Sequence, residues 1–569
     1  MAALHICQLL EGMPLGIELA ASWVRLLSCQ EISREIEKSL GFLQSRTHDR
    51  PTRHQSLDAA FEHSWVLLPA GQQQALMRLT VFDNDFHHSA ANTIAQAGLP
   101  QLAALVDCSL VQQTTSGRYR LQEILRQFAR EKLHAAGLAG QIATRHASYY
   151  LAFLQQLTGD LRGSQQSVAL QTVRQEIDNV RQAWRWAAQT RDAAGIGQAL
   201  DSLFQFYDMR SWFQEGAEMF ALAADAMQVT DPLVYARLLA RLGWFTFHTG
   251  HQTGGQAMLA NSVAHLRQQD APTDLVFALS YLAAVHHHLG DHDQAQALAK
   301  EALALSQATQ NLPGAAIADN ILGQIAYRQG RLDDAQRYGT TSLALERQTG
   351  SRWSMAFSLV NLGKVMFTQG HYDQARRHFE ESLAIRQSMQ DIRGMAICRK
   401  HLGDTALALG QLAAAETHYQ ESLTLSRRAG DQLSVADALS NLGYVALAAN
   451  NTPAGRSYHQ QALRTILEMA AIPQTLAVLV GAATYLVHTA ADLSLAQTIA
   501  LAVWQHPAGT QTSKRRAAQL YSQLTGQDPA GAPTLPPAPL IDLVHTTLIR
   551  LAPDGATAGS LPAPTPPFI

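Results

Sequence analysis

The chain carries a hydrophobic beat of long period. Leu242, Leu282, Leu322, Leu362, Leu402 and Leu442 recur every 40 residues, each followed by a small residue, Gly243, Ala283, Gly323, Gly363, Gly403 or Gly443. Seven residues beyond that small residue stands Gly250, Gly290, Gly330, Gly370, Gly410 or Asn450. Ala295, Ala335, Ala375 and Ala415 follow, replaced by Gly255 and Gly455 in the outer copies, and Val263, Leu303, Leu343, Leu383, Leu423 and Leu463 complete the register. A stretch such as AIADNILGQIAYRQG spaces its apolar residues for a helix. It has a small residue where a second helix must come close, and it ends on a glycine able to take the left-handed cap conformation. RLDDAQRYGTTSLALERQ predicts that second helix, with Ala335 and Leu343 inward. One hairpin buries little alone, so the pattern predicts six hairpins over residues 231–470, stacked into a superhelical solenoid in which each stabilises the next.

The stretch NLG…G.YDQAR…ESLAI, with Leu362, Gly363, Gly370, Ala375 and Leu383, resembles the tetratricopeptide repeat family. The period of 40 exceeds the family's usual length of about 34, as if the second helix or the following loop were extended. Similarly lengthened repeats occur in the sensor regions of bacterial signalling ATPases and transcription activators. The resemblance implies a concave groove lined by the first helices. Asn320, Gln324 and Arg328 lie at i, i+4 and i+8 on one helical face. Equivalent positions carry Lys364, then Lys400 and Asp404, then Ser440 and Tyr444. Such a polar row is expected to hold an extended peptide or a protein segment.

The front of the chain has a different character. EGMPLGIELAASWVRLLS resembles the GLPL motif of the NB-ARC and wider STAND class of signalling ATPases, with Pro14 at the proline that lies against the nucleotide base and Met13 for the usual leucine. The segments from Arg53 and from Leu102 resemble the winged-helix domain of that class, with short strands near Leu110–Gln113 and Arg118–Leu121 and a helix beginning near Gln122. Where the family has Met-His-Asp this chain has Leu121, Gln122 and Glu123. Gln122 can donate a hydrogen bond but cannot carry a histidine's charge. By resemblance, then, Pro14, Gln122 and Glu123 are the nucleotide-proximal positions. EIDNVRQAWRWAAQ, with Asp178, Asn179 and Trp186, resembles a segment that follows the winged helix in bacterial regulators of this kind.

No GxxxxGK[ST] loop stands in these residues; LGKVMF offers a Gly-Lys pair but has Val365 where Ser or Thr is needed. Without backbone amides and a lysine cradling phosphates there is no P-loop site. The chain is therefore expected not to be an enzyme by itself, and to meet ATP or ADP only through a nucleotide-hydrolysing domain supplied in cis or in trans. It reads as the sensor half of a longer machine. The expected organisation is all-α: an NB-ARC remnant over 1–50, a winged helix with a small β wing over 51–136, a helical linker over 137–230, and repeats over 231–470. A helical cap over 471–525 and a Pro- and Ala-rich, mostly disordered tail over 526–569 follow, with a short helix at LIDLVHTTLIRL.

Composition narrows the function. A net charge of -3 gives no general attraction to phosphate backbones or anionic membranes. Arg118, Arg120, Arg126, Arg130 and Lys132 make one locally basic end, yet direct nucleic-acid binding is not expected. Cys7, Cys29, Cys108 and Cys398 lack CxxC spacing, so neither zinc nor a disulfide framework is implied, and a reducing cytoplasm is expected. The most apolar stretch, from Leu476 to Trp504, is broken by His488 and Asp492 and predicts a helical hairpin rather than a membrane span. Among His286, His287, His288 and His292, only His288 and His292 are spaced to share a face, and solvated histidines at a turn are expected. The DNDFHH stretch at 83–88 is read as a turn rather than a cation site. No GxSxG or HExxH pattern is present. Two functions fit: a sensor that binds a peptide, protein or inducer and relays its presence to a nucleotide-binding module, or a free-standing interaction scaffold.

Overall fold

Twenty residues, half the sequence period, is the structural unit of the repeats. Left-handed residues fall at Gly290, Gln310, Gly330, Gly350, Gly370, Gln390, Gly410, Gly430, Asn450 and Ala490. Between them run helices of nearly constant length, such as Leu312–Arg328 and Leu332–Thr349, Arg352–Thr368 and Tyr372–Ser388, or Ile392–Ala408 and Leu412–Arg428. The first helix of each pair is called A and the second B. The lengthening is therefore not confined to the second helix or its loop: A and B are each about 17 residues long, and both turns are short. Many A helices open on an acid or amide that caps a backbone N–H three residues on, as Asp231, Asn311, Asp391 and Asp431 do.

The computed structural model describes residues 2–552 apart from 10–16, 18, 22, 25, 39–56, 468, 470 and 536–539, so Pro14 lies outside the described residues. Two compact units are present. The first comprises Met1–Leu161, Val168–Asp208 and Trp212–Gly250, and it includes the A helix Pro232–His248; the second comprises Arg162–Ser167, Met209–Ser211 and His251–Ile569.

In the first unit a hairpin of β1 (Val111–Gln113) and β2 (Tyr119–Leu121) pairs Val111 with Leu121 and turns through Gly117 at φ 76°. The following helix, Glu123–Ala135, buries Ile124, Leu125, Phe128, Ala129 and Leu133. The DNDFHH stretch is consumed by structural bonds. Asn84 donates to Asp178 at 2.8 Å, Asn179 donates to the Asp85 carbonyl at 3.3 Å, and Arg130 meets Asp83 at 3.3 Å. The helix Ile177–Thr190 holds this arrangement: Asn179 is buried against Glu176, Tyr150 donates to Glu176 at 3.1 Å, and the buried Trp184 donates to the Met219 carbonyl at 2.8 Å.

In the second unit the stack is closed by two repeated contacts. Ser342, Ser382 and Ser422 on successive B helices donate to the carbonyls of Ala316, Ala356 and Ala396 at 2.8, 2.8 and 2.9 Å. Along the B helices a second position, Gly339, Phe379, Tyr419 and His459, faces the A-helix glycine. A Cβ on Gly363, Gly403 or Gly443 would lie 2.5, 2.7 or 2.5 Å from the ring of Phe379, Tyr419 or His459, so a bare backbone is required there. The apolar stretch beginning at Leu476 forms a hairpin as expected, Ile472–His488 and Leu493–Gln505, and it continues the forty-residue register as a seventh pair. The short helix expected at LIDLVHTTLIRL is present as Leu540–Arg550, and Leu543, Val544, Leu548 and Leu551 join the C-terminal core.

His459 is the weak member of the ring series. It is 0 % exposed, neither ring nitrogen has a hydrogen-bond partner, and burial pulls its pKa down to about 3. The folded protein therefore keeps the ring neutral while the unfolded chain protonates it near pH 6.5. The neutral ring's contribution is complete above pH 6.5 and erodes as pH falls toward 3, by up to about 1.4 kcal/mol per pH unit. His459→Phe, which copies the Phe379 arrangement, is expected to raise stability and flatten that slope. Urea unfolding of both proteins between pH 7 and pH 5 measures it; parallel slopes would refute the assignment.

Candidate ligand groove

The A helices of the second unit present a row of polar side chains that reach from one repeat to the next. Asn320 donates through Nδ2 to Ser358 Oγ at 2.7 Å, and its Oδ1 accepts from Gln324 at 2.7 Å and from Asn361 at 3.2 Å. Tyr327 and Thr368 hydroxyls meet at 3.1 Å. This amide ladder continues inward: Ser358 donates to Glu346 Oε1 at 3.0 Å. Burial raises the Glu346 carboxyl to about pKa 8, against the opposing effect of its bonds to Ser358 and Ser342.

Toward the C-terminus the row becomes ionic. Lys400 pairs with Asp404 at 3.3 Å, His401 approaches the same carboxylate at 3.3 Å, and the buried Tyr419 donates to it at 2.8 Å. Burial opposes both ions of the pair, but attraction outweighs it. Asp404 is held far below the usual carboxylate range and Lys400 is raised by Asp404 and Asp437. Burial and the Lys400 charge bring His401 down to about 4, so it is neutral at pH 7. Arg516, on the helix Gln511–Thr525, lies 4.5 Å from the centre of the Tyr444 ring and adds positive potential at Asp404.

Lys364 differs from Lys400. Its ammonium stands 5.0 Å from the centre of the Tyr327 ring, over a cleft lined by Asn320, Gly323, Gln324, Gly339 and Asn361. Gly339 borders this small cleft, and a side chain there would meet Leu362 of the next A helix at 2.9 Å. Burial, then Lys400 and Arg328, lower the Lys364 pKa to about 8. A larger hollow on the B helix Leu332–Thr349 is open, and its charged walls, Asp333 and Arg337 among them, include the Asp334-paired Arg337.

The expected residues thus divide. Asn320, Gln324, Lys364, Lys400, Asp404 and Tyr444 occupy the A-helix row, and Arg328 contributes charge at its N-terminal end. Ser440 does not offer an open hydroxyl: it is 5 % exposed, with Gly481 of the next A helix against it. The row also enlists Tyr327, Asn361, His401, Tyr419, Asp437 and Arg516, none of which the i, i+4, i+8 spacing selects. The histidine expectation is corrected as well. His287, not His288, meets His292, with ring centres 5.2 Å apart, because the chain reverses at Gly290. Nor is His287 a solvated residue: burial and its cationic neighbours lower it to about 3. Among the described residues no cluster of three or more metal-ligating side chains occurs.

In the first unit Gln122 is the N-cap residue of its helix without a side-chain cap bond. Glu123 pairs with Arg126 at 2.8 Å, and Arg126 donates to the Asp83 carbonyl at 2.7 Å. The five basic residues of this end are all ion-paired, Arg118 with Glu176, Arg120 with Asp85, Arg126 with Glu123, Arg130 with Asp83 and Lys132 with Glu62. No helix among the described residues is long and apolar enough to cross a membrane.

Comparison with known proteins agrees with this architecture. Residues 274–348, 314–388 and 395–467 match one tetratricopeptide repeat model and 360–427 match another. The repeat region is a tetratricopeptide array. A Mycobacterium tuberculosis protein provisionally named as an HTH-type transcriptional regulator is 32% identical over 226 residues, which is 38% of this chain and 25% of that protein. An uncharacterized M. tuberculosis protein is 31% identical over 156 residues, 26% of this chain and 40% of its own length. The chain thus spans a quarter to two fifths of these relatives. A STAND protein with a tetratricopeptide repeat sensor from Pyrococcus horikoshii superposes with a TM-score of 0.54 at 12% identity, over 90% of this chain and 71% of that one. The resemblance to the C-terminal part of a STAND regulator holds at the level of fold.

Asp404 is the acceptor on which this end of the row converges. Asp404→Ala leaves Lys400 without its ion pair and Tyr419 without its acceptor, so a loss of about 1–3 kcal/mol is expected. Denaturant midpoints of wild type and variant measure it. Asp404→Asn, which keeps an acceptor for Tyr419, should lose less.

Proposed function

We propose that this chain is the sensing part of a STAND-type regulator, whose A-helix row binds an extended peptide or protein segment and whose winged helix relays occupancy to a nucleotide-binding module. The observation that carries the reading is the row itself: amides, ammonium groups and carboxylates from successive repeats, aligned on one face and partly exposed. An extended chain offers alternating donors and acceptors that match such a row. Any ATP or ADP would belong to the nucleotide-binding module, with Pro14, Gln122 and Glu123 on the surface turned to it by family resemblance. The ion-paired state of the winged-helix basic residues favours a relay over nucleic-acid binding, since little cationic potential is left for phosphates. The tetratricopeptide match and the regulator name of the M. tuberculosis relative support a non-enzymatic role for this part.

The test is to pan a random-peptide display library on the chain. Recovered peptides should compete with one another and lose roughly tenfold or more in affinity on Lys400→Glu, the loss of one charge-assisted contact. Binders indifferent to Lys400 and Tyr444 substitutions would refute the groove. A relay further requires that the peptide bind the ATP and ADP states of the joined module with different affinities; equal affinities would instead support a scaffold.

A further inference from the structure

One A helix of the array takes its N-terminal cap from elsewhere in the chain. Asn311, Asp391 and Asp431 each accept from the backbone N–H three residues on, but at the corresponding position Ser351 turns its hydroxyl to Ser354 Oγ at 3.0 Å and caps no N–H. The N–H of Trp353, in the first turn of Arg352–Thr368 and so without an intrahelical acceptor, donates instead to Oε1 of the buried Gln166 at 2.8 Å. Ser167 donates at 2.8 Å to the carbonyl of Ser388, which ends the following B helix, and Arg210 approaches the Met389 carbonyl at 3.5 Å. Gly350, at φ 75°, lies against this stretch: a Cβ there would stand 3.2 Å from the Ser164 backbone nitrogen, whereas Gln310 and Gln390 hold the same left-handed position at other junctions. Accordingly Arg162–Ser167 and Met209–Ser211 group with the second unit, although the chain on either side of each belongs to the first.

We propose that Arg162–Ser167 is a latch that opens and closes on the turn at Gly350, and that occupancy of the polar row opens it; the second clause rests on the function proposed above. The stretch RGSQQS has no apolar side chain, and of its residues only Gln166 is buried. Opening therefore uncovers little apolar surface and belongs to the low-cost end of local unfolding. What it frees is an N–H at the start of one A helix and a C=O at the end of the B helix that follows it, both of which water can satisfy. The helix whose start is capped also carries the row residues Asn361 and Lys364. On its first turns Trp353 and Phe357 pack on Arg386 of that B helix, their ring centres 5.7 and 4.5 Å from the guanidinium carbon. A displacement at the row thus reaches Trp353 through one continuous helix. The structure is that of the latched form, so a ligand that acts through the latch must favour the open one. Both ends of the stretch continue into the first unit, and release is passed on along the chain itself.

Two variants of the full chain test the latch. Gly350→Gln copies the side chain that Gln310 and Gln390 carry at this φ, so the repeats tolerate it while it crowds the Ser164 backbone; Gln166→Ala removes the acceptor. Trypsin cleavage after the exposed Arg162 reports opening, and 15N-tryptophan labelling of the eight tryptophans lets amide exchange be followed at Trp353. In both variants cleavage and Trp353 exchange should rise roughly tenfold, the factor for one lost hydrogen bond. Exchange at Trp504, inside Leu493–Gln505, and the thermal midpoint should stay nearly unchanged. Trp353 and Trp504 accelerating together, or a midpoint that falls in step with cleavage, would make the stretch a fixed part of the fold and overturn the latch, as would no change in either variant. In the unaltered chain, a display-selected peptide whose binding depends on Lys400 should raise Trp353 exchange; a bound peptide that leaves Trp353 protected overturns the coupling. If panning yields no such peptide, the function proposed above fails, and the two variants still decide the latch.

Discussion

The second unit depends on one constraint: in each repeat helices A and B must approach closely enough for a side chain of B to lie on the bare backbone of A. Gly363, Gly403 and Gly443 supply that backbone, and Phe379, Tyr419 and His459 the rings. A methyl group at any of these glycines would overlap the ring, so the contact sets the spacing of the pair. With the spacing fixed, the B-helix serines reach the A-helix carbonyls of Ala316, Ala356 and Ala396 at nearly identical distances. The polar row then follows from equal rotation of successive A helices.

Variation at the ring position changes what each repeat does. Phe379 makes an apolar seam. Tyr419 carries a hydroxyl through the seam to Asp404 and so ties core packing to the ionic end of the row. His459 brings two ring nitrogens that find no partner. At Gly339 the side chain is absent, and Leu362 of the next A helix comes within 2.9 Å of where its Cβ would be. Buried polar groups are costly unless satisfied, which marks Tyr419 as favourable and His459 as a liability.

Much of this was legible in the sequence because period and geometry coincide. The forty-residue spacing gave the hairpins, the A-helix glycines and one left-handed cap per pair. The second cap was hidden because Gln310 and Gln390 occupy it as often as Gly350 and Gly430, and glutamine is not read as a turn residue. The row positions Asn320, Gln324, Lys364, Lys400 and Asp404 follow from helical spacing. Arg516 does not, since it arrives from a helix outside the period, and Tyr327 and Asn361 sit one residue off the i, i+4, i+8 line. Ser440 was misplaced because Gly481 lets the next helix close over it, a feature of the following repeat. The His287–His292 contact depended on the reversal at Gly290, which helical spacing rules do not describe.

The twenty-residue half-period has a consequence for how such a chain can change. Helix ends and left-handed turns recur at the same phase from Leu312 to Ala448, so recombination between two of these copies can remove or duplicate one whole repeat without disturbing a turn. The array can lengthen or shorten in complete steps, and each step adds or deletes one row position and one ring position. The polar face can therefore be revised by copy number as well as by point substitution, while the packing rule that holds the stack together stays the same.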